Sequence, residues 1–587
     1  MSRASCLRYL AATALAVFVY CFALDGQHIP KNGDEYPYVH ITRMTAESGH
    51  LLPLQSALPG MRNTKPPLLF WQGIASTDWG QSWTLFNLRY PSLIYTGLTG
   101  LLVFLLAWRL SANPAQGFIA LLSFLAFFSS YRFGRPFLTN PPEVFFLFLP
   151  FFILLYWRKA AFDSRALPFL LALIIGIGLL YKSFALLLPV GLALAWWYLH
   201  QRAYRVRAFI VADVWKLALI ALLALSLFSL WFLLDPQPQA IWQEFVVQEN
   251  VGKLDQASTP GAYWLKFFWG SSSLWTMLLG YPLNAGLLAF PVLALLCGLY
   301  KRRATLSEAE KLLCILLFVF VLVFSLPSQR SSRYLLVAMP ALAVLCALGW
   351  RYVQSLWFAL SLCLVLLVLA GLAYLSWRLA LTLPGVALYA APHWLLLAAS
   401  AVFAVIALGR PSLIQVGSCI AVLLSFLSLA SFLRPFEGDL GRYSVATQAS
   451  LSGQKVYAPY DFNAKDEAYR FLLPGALIVG YREESEPVEG AASVTPQRLR
   501  LSTLRQRYPQ LFAAQRAAAP EALHLIVRMP LGTLPCTSCR LIATRLDVRG
   551  RQSPQALQAI LRGQVLANLF VQEMLLEVPS SALLAAD

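Results

Sequence analysis

Long apolar runs separated by short polar loops make up most of the chain. The first follows Arg3 and Arg8, and the others lie at about 91–108, 115–130, 138–157, 167–181, 184–199, 213–234, 274–299, 312–326, 334–350, 355–376, 393–408 and 412–433. A helix needs about 20 apolar residues to cross a bilayer, and it satisfies its backbone hydrogen bonds without water. The pattern predicts an α-helical polytopic membrane protein with about 13 transmembrane helices.

Three of these runs allow a second interpretation. Residues 1–24 resemble a signal peptide, but no small-residue cleavage site follows, so we interpret them as an uncleaved helix with a cytoplasmic N-terminus. The runs 167–181 and 184–199 meet at Tyr181-Lys182-Ser183, and they could also form one broken re-entrant element.

Composition agrees with a membrane protein, and charge supplies its orientation. Of the 587 residues, 58% are hydrophobic, and the mean hydropathy is +0.62. The net charge of +18 is better explained by topology and anionic lipids than by nucleic acid, so no nucleic-acid partner is predicted. With a cytoplasmic N-terminus, the densest basic loops share the inner face, as the positive-inside rule requires; these are WRKAAFDSR, HQRAYRVR and YKRRATLSEAEK.

The last part of the chain changes composition and reads as a separate domain. We divide the chain into a membrane domain, 1–433, and a small soluble α/β domain, 434–587. The stretch KVYAPYDFNAKDEAYRFLLPGALIVGY predicts a strand, a helix and a second strand, in that order. LHLIVRMP and RLIATRLDV predict further strands. An odd number of spans puts this domain on the outer side of the membrane, which faces the periplasm or the cell exterior. There Cys536 and Cys539 favour a local disulfide over free thiols or a metal site.

The first long polar segment, 25–90, lies on the same outer face and holds candidate chemistry. Asp34 and Glu35 could supply a base or stabilise charge at a sugar carbon, or they could merely complement the dipole of a helix beginning near Tyr36. Lys65 is followed by two prolines, which hold it extended at lipid-phosphate depth, although it could also be a snorkelling interfacial lysine.

Further cations lie in this first outer segment and in the other outer loops, against the expected bias. Short loops may simply tolerate them, but they could instead assemble a phosphate pocket from several loops; they are Lys31, Arg43, Arg62, Arg89, Arg132, Arg135, Lys182, Lys253, Lys266, Arg330 and Arg333. Acids near cations at a membrane surface suggest chemistry on an anionic lipid carrier. The loop 235–273, by contrast, is rich in aromatic residues that suit a membrane interface.

The order of these motifs resembles a known family. One span, then Asp34-Glu35, then a helix like YVHITRMTAESGHLLPLQ, then Lys65-Pro66 opening an apolar segment is similar to the bacterial relatives of the protein O-mannosyltransferases. The resemblance is greatest to the lipid A 4-amino-4-deoxy-L-arabinose transferase branch. It continues at Leu180-Tyr181-Lys182, PGAYWLKFFWGSSSLWT and PSQRSSRYLLVAMPALAVL, and covers about residues 10–350 well.

The resemblance implies a GT-C glycosyltransferase with an outer C-terminal domain and a polyprenyl-phosphate sugar donor. Asp34, beside Glu35, matches the family's catalytic aspartate, and Lys65 matches the lysine on the carrier phosphate. Donor-phosphate roles are also implied for Arg62, Lys182, Arg333 and Tyr334. Members commonly have an aspartate before proline where this chain has Asn140-Pro141, with Glu143 three residues on. Either Asn140 keeps a hydrogen-bonding role, or the acceptor differs.

The predicted function is transfer of a sugar from a polyprenyl phosphate to an envelope acceptor, which could be lipid A, a glycan or a protein. Phosphate is a good leaving group, so cations can offset its charge and no cofactor is required, although a divalent metal stays open. The alternative is a lipid-linked sugar transporter or flippase. A transporter is expected to have internal repeats and charges within spans, and we find neither in the sequence.

Overall fold

The structure is a computed structural model that describes residues 3–30, 32–58, 60–253, 260–270, 272–383, 388–461, 463–482, 498–509, 511–512, 522–549 and 553–581. The chain divides into two compact units. The first contains residues 1–24, 41–369 and 398–427, and the second contains residues 25–40, 370–397 and 428–587. The second unit therefore includes the start of the polar segment 25–90 and parts of three apolar helices, besides the C-terminal region.

Apolar helices dominate, and the chain is a multi-pass membrane protein. Within the described residues, nine helices are long and apolar enough to cross a membrane; they are Leu85–Ser111, Asn140–Trp157, Phe184–Gln201, Val214–Leu234, Gly280–Lys301, Ser332–Tyr352, Ser355–Thr382, Ala391–Leu408 and Ile414–Glu437. Shorter apolar helices occupy Leu7–Cys21, Pro114–Ala126 and Leu167–Tyr181. Together with Glu308–Ser325, these helices coincide with the apolar runs of the sequence. The helical fold class is confirmed, while thirteen spans and the domain boundary at 433 stay predictions.

Local sequence explains where several of these helices begin. Thr84 accepts a hydrogen bond from the backbone N of Asn87 and so caps Leu85–Ser111. Ser307 and Glu310 form a capping box at the start of Glu308–Ser325. Asn140–Trp157 opens with two prolines, which a first helical turn accepts because its N–H groups have no partner within the helix.

Shorter elements lie in the loops between the membrane helices. Tyr181 ends one helix, Lys182 and Ser183 interrupt it, and a 3₁₀ turn at Phe184–Leu186 leads into Leu187–Gln201. The loop after Leu234 contains a wide π-helical segment, Trp242–Asn250. The other loop elements are Glu35–Glu47, Leu68–Ser76, Phe128–Phe133, Pro238–Ile241, Val251–Lys253, Pro260–Phe268 and Leu274–Leu278.

The C-terminal region forms the predicted α/β domain. Its five strands are β1 (Lys455–Tyr460), β2 (Leu477–Arg482), β3 (Leu523–Met529), β4 (Arg540–Val548) and β5 (Phe570–Val578). The sheet order is β2-β1-β3-β5-β4, with β1 parallel to both neighbours and β5 antiparallel to both of its own. Helices accompany it at Val445–Ser450, Asp466–Leu472, Leu501–Arg507, Pro554–Leu561 and Val565–Leu569.

Alternate side chains of a strand point to opposite faces of its sheet. Apolar clusters lie on both faces of this sheet. Leu523, Leu525 and Val527 of β3 belong to one apolar cluster, and Ile526 belongs to the other. The first cluster also contains Cys536, which a disulfide joins to Cys539 with a Cα–Cα distance of 5.1 Å. The local disulfide favoured by the sequence is therefore present.

Candidate active site

Two helices of the first unit bring together residues that are 193 positions apart in sequence. Asn140 begins one helix, and Arg333 lies in the first turn of the segment Ser332–Tyr352. The Arg333 guanidinium donates to Asn140 Oδ1 through Nε at 3.0 Å and through Nη2 at 2.6 Å. Two donors on one amide oxygen fix the plane of the arginine, so these two predicted site residues form one unit of structure.

The contact continues from Asn140 to a buried acid and a lysine. Asn140 Nδ2 donates to Glu143 Oε2 at 2.9 Å, and the same oxygen lies 3.2 Å from Lys182 Nζ. Residues three apart share one face of a helix, so Glu143 stays beside Asn140. Asn140 therefore makes hydrogen bonds at the position where the resembled family commonly has an aspartate, and the acid beside it is Glu143, which is 3% exposed.

Arg132, one of the cations listed above as candidates for a phosphate pocket, also belongs to this cluster. Its guanidinium lies 5.2 Å from the centre of the Phe133 ring, and that of Arg333 lies 5.0 Å from the same ring. Burial, and then the charge of Arg333, lower the pKa of Arg132. Two cations beside one ring create a positive region in which an anion would be stabilised.

Lys65 lies against the loop segment Gln237–Asn250, which we call the acidic loop segment. The Lys65 ammonium pairs with Glu249 and donates to the Thr64 carbonyl oxygen at 2.8 Å. Arg62 Nη1 donates to Gln237 Oε1 at 2.7 Å. The predicted phosphate-binding lysine is therefore paired with a carboxylate. Glu249 could not be chosen from the sequence, because its loop stands out only by its aromatic residues.

Further hydrogen bonds hold the acidic loop segment on both sides. Glu244 Oε2 accepts from the backbone N and the side-chain amide of Asn63, at 3.0 and 2.9 Å. Ser183 Oγ donates to Asn250 Oδ1 at 2.7 Å. Asn63 follows Arg62 and Ser183 follows Lys182, so the acidic loop segment contacts the chain neighbours of two predicted phosphate ligands.

Tyr334 is a further predicted phosphate ligand. It is half-buried, and its ring lies 5.1 Å from that of Phe324.

The predicted catalytic acids belong to the second unit. Asp34 immediately precedes the loop helix Glu35–Glu47, and its backbone N donates to Asn32 Oδ1 at 3.2 Å. Asp34 is half-buried and Glu35 is fully buried. The helix begins one residue before the expected position, so both acids lie at its N-terminal end. This placement agrees with the helix-dipole interpretation and leaves the catalytic role a proposal.

Several other outer-loop cations serve the backbone. Arg89 Nη1 donates to the Leu24 carbonyl at 2.8 Å, and Arg135 binds the carbonyls of Tyr20 and Phe22. These buried guanidiniums satisfy carbonyl groups in the last turn of the first helix and immediately after it. Lys31 and the side chain of Lys253 lie outside the described residues. Within the part of the chain that is described, no group of three or more His, Cys, Asp or Glu residues could hold a metal ion.

Comparison with known proteins places this geometry in context. The family model of dolichyl-phosphate-mannose-protein mannosyltransferase matches residues 31–243. The undecaprenyl phosphate-alpha-4-amino-4-deoxy-L-arabinose arabinosyl transferase 1 of Sodalis glossinidius (strain morsitans) is 27% identical over 406 residues, 62% of this chain and 65% of the relative. Transferase 2 of Pseudomonas fluorescens (strain Pf0-1) is 31% identical over 202 residues, 32% of this chain and 35% of the relative. Both matches span less than two thirds of the relative's length.

The solved structures extend the likeness over nearly the whole chain. ArnT from Cupriavidus metallidurans bound to undecaprenyl phosphate has a TM-score of 0.59 at 15% identity and covers 98% of both chains. The chain has the GT-C fold of ArnT. ArnT in the apo state gives a TM-score of 0.56 at 14% identity and full coverage of both chains. The resemblance to the protein O-mannosyltransferase superfamily, and to the ArnT branch within it, is confirmed.

Proposed function

We propose that this ArnT-like chain is a membrane glycosyltransferase that moves a sugar from a polyprenyl-phosphate donor to an envelope acceptor. The observation that supports it most is that Lys65, Lys182 and Arg333, the cations assigned to the carrier phosphate, are each held on an acid or amide oxygen. Half-buried cations bind an anion more strongly than fully exposed ones, because less water screens the interaction. A phosphate could therefore replace part of these contacts.

The proposed reaction is a direct displacement at the anomeric carbon. A bond forms between an acceptor oxygen and that carbon as the bond from the carbon to the phosphate oxygen breaks, and the electron pair stays with the phosphate. Lys65, helped by Arg62 or Arg333, offsets the growing phosphate charge. Asp34 orients the acceptor and takes its proton when the acceptor is a hydroxyl. Such a displacement inverts the anomeric centre.

The finer parts of the proposal come from the relatives and from loop charge. The relatives' names support undecaprenyl phosphate as the carrier and 4-amino-4-deoxy-L-arabinose as the sugar. Lipid A is the acceptor that we favour over a glycan or a protein. The basic loops support a cytoplasmic N-terminus in the inner membrane and a periplasmic C-terminal domain. The cations suffice for the charge balance, so we expect transfer to persist in a chelator.

The test is transfer from a radiolabelled undecaprenyl-phosphate sugar by the purified full chain, with lipid A, glycan and protein acceptors. We expect Asp34→Asn to lower kcat by about 10²–10⁴-fold while donor binding persists. Lys65→Ala should lower transfer by about 10²-fold or more and weaken donor binding. Lys455→Ala, at an exposed strand end, is the matched control and should leave transfer unchanged.

Other outcomes would redirect the proposal. Full activity in Asp34→Asn would remove Asp34 from the mechanism and direct attention to Glu35 and Glu143. A folded wild type that transfers no sugar with any acceptor, yet moves the labelled lipid across a vesicle bilayer, would replace the transferase with the flippase.

A further inference from the structure

The chain that leads to Asp34 is hydrogen-bonded to the C-terminal part of the second unit through residues that precede Asp34. The backbone N groups of Gln27 and His28 donate to the two carboxylate oxygens of Glu437, each at 2.6 Å. Tyr36 Oη then donates to Gln27 Oε1 at 2.7 Å and returns the contact to the loop helix. Charge-assisted bonds to one carboxylate fix both the position and the direction of the entering chain.

A second attachment follows Asp34. His40 Nδ1 lies 2.7 Å from Glu467 Oε1, although the two residues are 427 positions apart. His40 is 4% exposed and Glu467 is fully buried. Because a carboxylate only accepts hydrogen bonds, Nδ1 carries the proton in this contact. Arg470 Nε, 3.4 Å from Glu467 Oε2, supplies a positive charge on the other side of the acid.

This arrangement is poorly explained by stability alone. A buried carboxylate costs desolvation even when it is hydrogen-bonded, and well-packed apolar residues of similar volume often serve as well or better. What the pair adds is direction, because a hydrogen bond fixes the ring and the helix from which it projects. His40 follows Asp34 by six positions, somewhat under two helical turns at about 3.6 residues per turn. Rotation of the loop helix at His40 therefore also turns the end that carries Asp34.

We propose that His40 and Glu467 are positioning residues for Asp34, so that the C-terminal domain supports catalysis by orienting the acid. The proposal rests on the proposed function, because it takes Asp34 to be the catalytic residue. It assigns a task to the C-terminal domain that neither the sequence nor the likeness to ArnT supplies. Neither His40 nor Glu467 is asked to touch substrate.

Kinetics of the full-length protein with the labelled undecaprenyl-phosphate sugar test the pair. We expect His40→Ala and Glu467→Ala each to lower kcat by about 10–100-fold, the cost of slight misplacement of a catalytic group. KM for the donor should stay within about twofold, since the phosphate contacts are made by other residues. The double variant should lose no more than either single variant, because both remove the same contact.

Conservative replacements separate positioning from packing. Asn at position 40 places its amide N–H close to where histidine carries Nδ1, so His40→Asn should recover most of the lost kcat. Gln reaches toward the place of Nε2, and His40→Gln should recover less. The matched control is Glu47→Ala, which breaks an exposed ion pair with Arg43 on the same helix and should leave kcat unchanged.

Hydrogen exchange gives a readout that does not depend on transfer. Exchange of amides in Glu35–Glu47 should accelerate by about tenfold or more in His40→Ala and Glu467→Ala, and β3 should remain protected. Unchanged exchange with unchanged kcat, or additive losses in the double variant, would overturn the proposal. If the wild type transferred no sugar, the proposed function would fail, and exchange would still show whether the pair holds the helix.

Discussion

Two charge networks in this molecule use similar residues under different exposure. In the sheet, Glu573 is fully buried between Arg528 and Arg545, which are 1% and 5% exposed. In the first unit, the side chains of Lys65 and Glu249 are 12% and 21% exposed. A network without solvent access cannot exchange a partner for a ligand, whereas a half-exposed one can. Exposure, more than the kind of residue, separates a structural network from a candidate binding site.

The geometry of the sheet explains why the buried network is complete. Arg528 of β3 and Arg545 of β4 are the direct cross-strand partners of Glu573 on β5. Arg545 reaches Glu573 Oε2 at 2.6 Å through both Nε and Nη2, and Tyr469 Oη donates to Oε1 at 2.8 Å. Arg528 Nε lies 3.4 Å from Oε1, which is an ion-pair distance. Asp547 Oδ2 lies 3.4 Å from Arg528 Nη2 and supplies a second negative charge to the network.

The largest effect is expected from breaking this buried network. Glu573→Gln leaves two buried guanidiniums with one acid fewer, and removing one partner of a buried pair costs about 3–5 kcal/mol of unfolding free energy. The change should lower the temperature of thermal unfolding of the full chain in detergent. Donor binding by the protein that remains folded should be normal, because the phosphate contacts belong to the first unit.

A control lies four residues further along the same strand. Glu577 is 3.4 Å from Arg540, whose side chain is 78% exposed, and Glu577→Gln should cost about 1 kcal/mol or less. Equal losses for the two variants would mean that exposure does not separate these networks. Normal stability of Glu573→Gln would show that the buried arginines find other partners.

The fold could be predicted from sequence where one signal was strong. Long apolar runs predicted the membrane helices, and short segments rich in strand-forming residues predicted β1 to β4. β5 was missed although it is an interior strand, because FVQEMLLEV contains a buried acid and mixes its apolar residues irregularly with Gln572, Glu573 and Glu577. Such a run does not alternate, and periodicity alone cannot tell it from a helix. The membrane-crossing helices were in turn easier to recognise than the short loop helices between them.

The site could be predicted only in part, for a related reason. Lys65, Lys182, Arg333 and Asn140 were found because each stands in a recognisable motif. Glu249, which pairs with Lys65 from 184 positions away, stands in no motif, and its loop was selected for its aromatic residues. A contact between distant segments is set by packing of the whole chain, which local pattern does not describe. Arg132 was noticed as a cation and lacked a reason to be preferred.

Removing an acid from the half-exposed network should strengthen donor binding, whereas removing one from the buried network should lower stability. Glu249→Gln removes the carboxylate that occupies Lys65, so a phosphate no longer has to displace it. An exposed or half-exposed pair contributes up to about 1 kcal/mol, so donor affinity should rise by about three- to fivefold. Equilibrium binding of an undecaprenyl-phosphate sugar at fixed ionic strength would measure it.

Two further variants sharpen this result. Glu244→Gln removes the same charge from the same acidic loop segment but leaves Lys65 paired, and it should not raise affinity. In Lys65→Ala the effect of Glu249→Gln should vanish, because the two residues act through one contact. An equal gain from Glu244→Gln would mean that the segment acts through general charge rather than through Lys65.

The smallest effect concerns an acid that is buried without full compensation. Burial and the neighbouring Glu467 raise the pKa of Asp466, while His40 and Arg470 lower it by less. An acid whose folded pKa is raised contributes stability below its unfolded pKa and loses that contribution as pH rises through the folded value. At neutral pH ionised Asp466 therefore opposes folding. Asp466→Asn should raise the unfolding temperature by about 2 °C at pH 7.

The dependence on pH distinguishes this electrostatic gain from better packing. Below the unfolded pKa of an aspartate, about 3.9, Asp466 is protonated in both states, and the gain of Asp466→Asn should disappear. A gain that persists in acid would assign it to packing instead. Asp439→Asn, at an exposed position, should change the unfolding temperature at neither pH. Loss of stability at pH 7 would show that the Asp466 carboxylate is more fully paired than its raised pKa indicates.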